Sequence, residues 1–482
     1  MTTNANKTRK FYKKRFAEKD IPNTNFNELK QLRTWFLTGS FNKTFLLYDT
    51  FDKSKIYLLK KYVLNHPNEI ENLMKKTYPK SLNKNTFIYA LVLLSKESFR
   101  SKKIFKDNFE KIIKTPKQIY LFLEYCKKER GRGKIVQNTI KNWFKHKDIH
   151  KLERLFVEEL SGYNWSAKDL MKIIKPIPSD QKENLLFRWL SGKEIDYNDY
   201  LAYFPLIYYY EKFRNNDYVE EDVIYAIKEL GMKNISIPGN VKRTNNIIRP
   251  LVINNDINST LKLISRYLNK FIIEEEDVEF IQKNIQNCNL TDIQLTIIIS
   301  KLEKTITSGN ELKLYDILIN YLIERVKSKY DNSIHIIDTN VKMLDEMPEV
   351  GCSPAKISIS VSYQSNNIFN FKGERIVKNF PKLFEGEGFN ETYPTVNYEK
   401  IFEQIDDVES KNIFIWSNNK RLRKKEFNSK IQFYKGKNGR VLKTYFINLY
   451  NWDKRSENKF YEIYGINDKT ERLLSLLINK QL

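Results

Sequence analysis

Apolar residues recur at intervals of three and four positions through most of the chain, which is the spacing of amphipathic α-helices. The pattern extends from about residue 26 to residue 329, where glycine is scarce. Predicted helices outside the best-defined segment are 55–63, 86–95, 116–126, 183–189, 205–213, 219–230, 259–271 and 292–304. Because helices follow one another every roughly 20 to 25 residues without an exact repeat, we predict a divergent HEAT-like solenoid.

The best-defined part of the helical region is the segment 130–178, which predicts three short helices. Apolar residues at helical spacing define the first of them: Ile135, Val136, Ile140, Trp143 and Phe144. The third begins with Ser166 as N-cap and Asp169 in the capping-box position, and it ends before Pro176. Lysines surround these apolar faces, which favours a repeat unit with a cationic edge. Ordinary core helices with a solvated lysine face explain the same pattern.

The chain changes character near residue 329, where short β-strand patterns begin. Predicted strands are 334–338, 356–361, 368–371, 412–416, 431–434 and 442–449, and predicted helices are 398–405 and 470–478. Strands that alternate with helices favour a doubly wound α/β domain. We therefore predict a basic arm at residues 1–20, a helical repeat domain at 21–329 and an α/β domain at 330–482.

The charge balance is strongly positive. The chain has 482 residues, with 83 Lys and Arg against 59 Asp and Glu, and a formal net charge of +24. Such an excess predicts attraction to polyanions, most often nucleic acid, with salt-sensitive binding. Lys, Asn and Ile are abundant throughout, as in AT-rich genomes, so part of the lysine excess has a compositional origin.

The aromatic cluster at residues 208–210 fits core packing better than base stacking.

Several classes of protein lack support in the sequence. The three cysteines, Cys126, Cys288 and Cys352, are far apart, which predicts neither a disulfide framework nor a zinc site. No apolar run of membrane-spanning length and no signal-peptide core occurs, so we expect a cytoplasmic protein. No nucleotide-binding loop, hydrolase elbow or catalytic carboxylate spacing stands out, so we expect no enzymatic activity and no cofactor.

Four motifs occur in order along the chain: RTWFLTGSFNKTF at 33–45, TFIYAL at 86–91, GRGKIVQNTIKNWF at 131–144 and YNWSAKDLMKIIKP at 163–176. Together they resemble the TROVE module of the Ro ribonucleoprotein autoantigen family. The resemblance extends over about residues 30 to 200. It implies a ring-forming helical solenoid closed by a von Willebrand factor A-like α/β domain. It also implies binding of Y-like or misfolded noncoding RNA, including single-stranded 3′ ends, with an exoribonuclease as a candidate partner.

The α/β region departs from that family's metal site, which uses an Asp-x-Ser-x-Ser motif, a later threonine and a carboxylate after a middle strand. Here Asp338 is followed by Asn340 and Lys342, and Thr395 matches the loop threonine. The residues after Trp416 include no carboxylate. A lysine ammonium beside the site would repel a divalent cation. We therefore predict a degenerate site that holds no metal.

A second departure concerns Y RNA. Positions that are basic in animal members of the family are Glu158 and Gly162 here, so the resemblance leaves open whether Y-RNA-type recognition carries over to this chain. Candidate phosphate contacts are Arg130, Arg132, Lys134, Lys141, Lys168, Lys172, Lys175, Lys242, Arg243 and Arg249. The alternative function is a structural scaffold of a larger particle, in which the basic faces bind an acidic protein partner.

Overall fold

The computed structural model describes residues 26–41, 44–46, 51–131, 133–194, 196–253, 256–328, 331–347, 350–376, 379–389, 396–404, 412–417, 443–448, 461–464 and 469–478. The arm predicted at 1–20 and the strand predicted at 431–434 lie outside these residues. Among the described helices, none combines the length and the apolar character that crossing a membrane requires.

Short helices make up the first half of the chain. They are α1 (Phe26–Thr38), α2 (Ile56–Asn65), α3 (Pro67–Thr77), α4 (Asn85–Lys96), α5 (Phe99–Ile112), α6 (Pro116–Glu129), α7 (Lys134–Lys145), α8 (Ile149–Glu158), α9 (Ala167–Ile174), α10 (Gln181–Leu190), α11 (Tyr197–Tyr203), α12 (Pro205–Arg214) and α13 (Glu220–Lys228). Side-chain caps fix several starts: Ser98, Asp148 and Asp180 each accept a hydrogen bond from a first-turn amide. The helices predicted from periodicity in this half are confirmed.

The helical region continues with α14 (Asn245–Ile253), α15 (Ile257–Tyr267), α16 (Glu275–Asn284), α17 (Asp292–Glu303) and α18 (Gly309–Ser328). A first hydrophobic core runs from α1 to α14 and contains the fully buried Trp35 and Trp143. Tyr208, Tyr209 and Tyr210 pack half-buried against it, so the prediction of core packing for this cluster is confirmed. The helices predicted at 259–271 and 292–304 correspond to α15 and α17.

Six strands form one parallel sheet: β1 (Thr44–Leu46), β4 (Asp331–Ile337), β5 (Ser365–Asn370), β6 (Asn412–Ser417), β7 (Lys443–Asn448) and β8 (Tyr461–Tyr464). The strand order is β5-β4-β6-β7-β8-β1. The helices of the sheet region include α19 (Pro354–Ser362), α20 (Phe380–Phe384), α21 (Tyr398–Glu403) and α22 (Thr470–Ile478). A small hairpin in the helical region pairs β2 (Ser161–Gly162) with β3 (Trp165–Ser166). A second hydrophobic core joins α14–α18 to this sheet.

The strand predicted at 356–361 is wrong, because these residues belong to helix α19. Ser353 caps the helix by accepting a hydrogen bond from the Lys356 amide, and Pro354 occupies its first turn. The alternation of Ile and Ser looked like one buried strand face, but both residue types are buried here. Two of the serine hydroxyls are satisfied within the helix, as Ser358 and Ser360 donate to the carbonyls of Ala355 and Lys356.

The two ends of the described chain meet at the edge of the sheet. Strand β1, near the N-terminus, pairs in parallel with β8, so that Phe45 lies opposite Ile463. Arg472 in α22 donates to the carbonyl of Pro79 at 2.8 Å. Periodicity did not predict β1 or β8. A strand from the predicted helical domain thus completes the sheet of the predicted α/β domain.

Candidate nucleic-acid interface

Helix α7 carries the first of the predicted phosphate contacts. Its apolar face is anchored by Trp143, whose indole Nε1 donates to the Ile113 carbonyl at 2.9 Å. The buried residues of the helix are Val136, Thr139, Ile140, Trp143 and Phe144. Lys134 is exposed in the first turn, and Lys141 is half-buried. The amphipathic pattern therefore places these two amines on the side of α7 that does not enter the core.

Helix α9 presents a second set of lysines. Its start is held by a reciprocal capping box between Ser166 and Asp169, as the sequence predicts. Lys168 and Lys172 are exposed on the helix, and Lys175 is exposed in its C-cap with a left-handed backbone (φ 44°). The Ser166 hydroxyl lowers the pKa of Asp169, and Lys172 lies 3.9 Å from this carboxylate.

Helices α7 and α9 pack against each other, so the lysines of both belong to neighbouring elements. We call Lys134, Lys141, Lys168, Lys172 and Lys175 the α7–α9 lysine surface. Within the described part of the chain, only Lys172 of this set has a carboxylate oxygen within 4.0 Å. The structure therefore places five of the predicted contacts on or beside two adjacent helices with little internal neutralisation, which leaves their charge available to a polyanion.

Arg130 is engaged inside the protein. Its guanidinium Nη1 donates to the Ser95 carbonyl at 2.9 Å and to the Ser95 hydroxyl at 3.0 Å. Ser95 lies in the last turn of α4, where backbone carbonyls lack helical partners. Arg130 therefore ties α6 to the end of α4, and its predicted RNA contact remains a prediction. Arg132 lies outside the described residues.

The second basic stretch is also partly used by the fold. Arg243 donates to the carbonyls of Ile237 and Val241 in its own loop. Arg249 binds the carboxylates of Glu274 at 2.7 Å and Asp277 at 3.2 Å, and its side chain is only 19% exposed. Lys242 alone of these three is an exposed cation. The geometry gives Arg243 and Arg249 structural roles, and their contact with RNA is untested.

Sequence reasoning missed four other cations. Lys228, Lys233, Lys262 and Arg266 line one cleft between α13, α14 and α15. The sequence contains only a weak sign of this cluster. Lys262 and Arg266 are one helical turn apart in α15, but Lys228 lies in α13 and Lys233 in the turn that follows it. Glu158 lies in the field of Lys233 and Arg154, and burial raises its pKa. Gly162 lies in β2, opposite Trp165.

Asp338 occupies the position of the predicted degenerate metal site. It is 2% exposed, and its Oδ2 accepts a hydrogen bond from Ser417 at 2.6 Å while Oδ1 accepts from the Asn340 amide at 3.1 Å. Burial raises the pKa of this carboxyl. No group of three acidic, His or Cys side chains with metal-ligand geometry occurs among the described residues, and Thr395 lies outside them. One protonatable, hydrogen-bonded carboxyl does not fit a hard divalent cation.

The fold defines a class of protein: a long array of short helices whose ends are joined by a parallel α/β sheet, with an exposed lysine surface on adjacent helices. No family model matches the sequence, and no curated protein matches it. The structure is similar to the crystal structure of the Ro (RSR) protein of Deinococcus radiodurans, with a TM-score of 0.76. The similarity covers 94% of this chain and 100% of that one at 12% sequence identity.

The chain thus has the fold of a Ro protein. This confirms, at the level of the fold, the resemblance predicted from the four motifs. The agreement extends well beyond residues 30–200, where those motifs lie, because the structural match includes the α/β sheet region as well. At this sequence identity the match carries no residue roles, so the function of individual side chains rests on their own geometry.

Proposed function

We propose that the protein is a non-catalytic RNA-binding protein of the Ro type, which binds structured or misfolded noncoding RNA, including single-stranded 3′ ends. The observation that carries this proposal is the α7–α9 lysine surface on a chain with a Ro fold and a net charge of +24. Lysine amines are compact charges on flexible stems, so they contact phosphates without reading bases. Such binding suits RNAs that share a backbone and differ in sequence.

The finer architecture belongs to the same proposal. Helices α1–α18 form HEAT-like repeats of the domain 21–329, and the sheet region 330–482 is a degenerate von Willebrand factor A-like domain without a metal. The pairing of β1 with β8 supports a ring, because it joins the start of the helical array to the sheet that shares a hydrophobic core with the end of the array. A Y-like RNA, an exoribonuclease partner and a cytoplasmic location complete the proposal and rest on the family resemblance.

The test is an electrophoretic mobility shift of the full chain with a hairpin RNA that carries a single-stranded 3′ tail. The same hairpin without the tail is the comparison, and both are titrated between about 50 and 200 mM salt. We expect tighter binding of the tailed RNA and a steep loss of affinity as salt rises. The quadruple variant Lys134→Gln, Lys141→Gln, Lys168→Gln and Lys172→Gln should bind at least about ten-fold more weakly and with a shallower salt slope.

The matched control removes the same charge outside α7 and α9, through Lys76→Gln, Lys80→Gln, Lys270→Gln and Lys283→Gln, all exposed residues. If both variants lose affinity equally, the binding reflects net charge and not the α7–α9 lysine surface. Absence of RNA binding at about 0.15 M salt contradicts the proposal. It would favour the alternative function, a scaffold whose basic faces bind an acidic protein.

A further inference from the structure

A cleft of about 710 Å³ opens between α13, α14 and α15, beside the turn that follows α13. Its apolar lining includes the buried side chains of Ile227, Met232 and Leu251, together with Pro250 and Leu263. This volume lies within the range of sites that hold small ligands, roughly 300 to 1,000 Å³. The cleft therefore has the size and the apolar floor of a site for a small organic group.

The rim of the same cleft is cationic. Lys228, Lys233, Lys262 and Arg266 are exposed, and no carboxylate of the described chain lies within ion-pair distance of any of them. Glu229 is the single acidic residue in the lining. Lys262 and Arg266 are separated by one helical turn, so their charges repel each other while the cleft is empty. An anion bound between them would relieve that repulsion.

The wall of the cleft is held in place by contacts from outside it. Gly231 adopts a left-handed backbone (φ 61°), which turns the chain after α13. Arg154 of α8 clamps this turn by donating to the carbonyls of Gly231 at 3.0 Å and Leu230 at 3.1 Å. The Tyr267 hydroxyl bonds to the side-chain carbonyl of Asn234. A site held in shape before the ligand arrives loses less entropy on binding.

We propose that this cleft binds a nucleoside phosphate. The phosphate lies against the four cations, among which the Arg266 guanidinium can contact two phosphate oxygens at once. The sugar and base lie on the apolar floor, and the amide hydrogens of Asn234 are available to a base edge. An acidic peptide fits less well, since its charges are spread along an extended backbone whereas these cations surround one compact cavity.

A nucleoside phosphate in this cleft can be either the terminal nucleotide of an RNA strand or a free nucleotide. The RNA source rests on the proposed RNA-binding function, and the free nucleotide does not. The α7–α9 lysine surface and the cleft share no residue, so their contributions are separable. This gives each site a variant that leaves the other unchanged.

The test is calorimetric titration of the full chain with adenosine 5′-monophosphate up to about 5 mM. We expect binding that weakens at least about ten-fold in Lys262→Gln/Arg266→Gln and persists in Lys262→Arg, because this variant keeps both charges and the Arg266 guanidinium. The quadruple variant of the α7–α9 lysine surface should bind the nucleotide normally. Thermal melting checks that the exposed substitutions leave the fold intact.

Competition identifies the source. Displacement of the nucleotide by a 5′-phosphorylated or 3′-phosphorylated RNA trimer, and not by its unphosphorylated form, assigns the cleft to an RNA end. Displacement by free nucleotides alone assigns it to a small ligand, and this result stands even if the tailed RNA does not bind the protein. No binding of adenosine 5′-monophosphate, equal binding by Lys262→Gln/Arg266→Gln, or binding of an oligoglutamate peptide instead overturns the proposal.

Discussion

Ser166 shows how one residue fixes the start of the helix that carries three of the candidate phosphate contacts. Its hydroxyl accepts a hydrogen bond from the Asp169 amide, and the Asp169 carboxylate accepts from the Ser166 amide at 3.1 Å. Two amides that the helix cannot satisfy internally are thereby paired. Both residues are local in sequence, which is why the pattern Ser-x-x-Asp was sufficient to predict the cap.

We expect Ser166→Ala to lower the free energy of unfolding by about 1 kcal/mol, because the alanine side chain cannot accept a hydrogen bond from the Asp169 amide. Chemical denaturation followed by circular dichroism measures the change. Ser161→Ala is the matched control, since Ser161 is exposed in β2. An equal effect of both substitutions would show that the capping hydrogen bond contributes nothing measurable.

Glu153 is a buried carboxylate that caps another helix from a distance. It lies in α8, is 2% exposed, and its Oε1 accepts hydrogen bonds from the amides of Leu206 at 2.9 Å and Ile207 at 3.2 Å in the first turn of α12. Burial raises the pKa of Glu153, and the two amides and His150 oppose this rise only in part. Glu153 therefore binds a proton more tightly in the folded chain than in the unfolded one.

This raised pKa makes stability depend on pH in a defined direction. The stabilising effect of protonation is complete below the ordinary pKa of a glutamate and is lost as pH rises through the higher folded pKa. Wild type should thus lose stability relative to Glu153→Gln as pH rises from about 4 towards 7. The glutamine side chain keeps an oxygen that accepts from the Leu206 and Ile207 amides, and it has no charge to bury. Unfolding free energies of both proteins across this range measure the difference. Glu221→Gln, an exposed change in α13, should run parallel to wild type.

At the scale of elements, Arg249 joins α14 to the start of α16. Its guanidinium contacts Glu274 and Asp277, and Asp277 is 6% exposed. Three acidic residues stand in the first turn of α16, where the positive end of the helix dipole favours them. Removing the arginine leaves a buried carboxylate without its cation, which costs more than the pair itself is worth.

We expect Arg249→Gln to destabilise the protein by about 2 kcal/mol and to leave the affinity for tailed RNA unchanged. Adding Asp277→Asn should restore part of the stability, because the uncompensated charge is then gone. Denaturation and mobility shift on the same samples separate the two roles. Lower RNA affinity with unaltered stability would instead place Arg249 among the phosphate contacts, as the sequence predicted.

Helix α19 shows where a period-two pattern misleads. Alternating Ile and Ser residues predict a strand with one apolar face, but in the structure this segment is buried on all sides. Thr296 of α17 donates to the Ser360 hydroxyl at 2.7 Å, so a polar position is buried at a helix–helix contact. Pro354 and the Ser353 cap were the local signals of a helix. The surroundings decided the outcome because periodicity reports burial on one side only.

At the scale of the whole molecule, a three-residue strand joins regions more than 400 residues apart in sequence. Strand β1 lies at the edge of the sheet and has β8 as its neighbour. Arg472 and Pro79 make a second contact between the two regions. The sheet is therefore the place where the start of the helical array meets the C-terminal region.

We expect Phe45→Pro to weaken this junction by about 1 kcal/mol or more, because proline has no amide hydrogen and restricts the backbone. Small-angle scattering should then show a larger radius of gyration, and limited proteolysis should cut more readily near residue 45. Phe45→Val is the control, since valine keeps the amide and suits a strand. Identical scattering of the proline variant and wild type would show that β1 does not hold the two regions together.

The sequence by itself determined about half of the helices, the capping box of Ser166 and Asp169, most strands of the sheet and the cationic character of the chain, because each depends on residues close together or on composition. It also placed Lys134 and Lys168 on exposed helix faces. Only the tertiary structure decided that Arg130 and Arg249 satisfy internal partners, that β1 pairs with β8, and that Lys228, Lys262 and their neighbours share one cleft. Each of these depends on contacts between distant segments, for which periodicity contains no information.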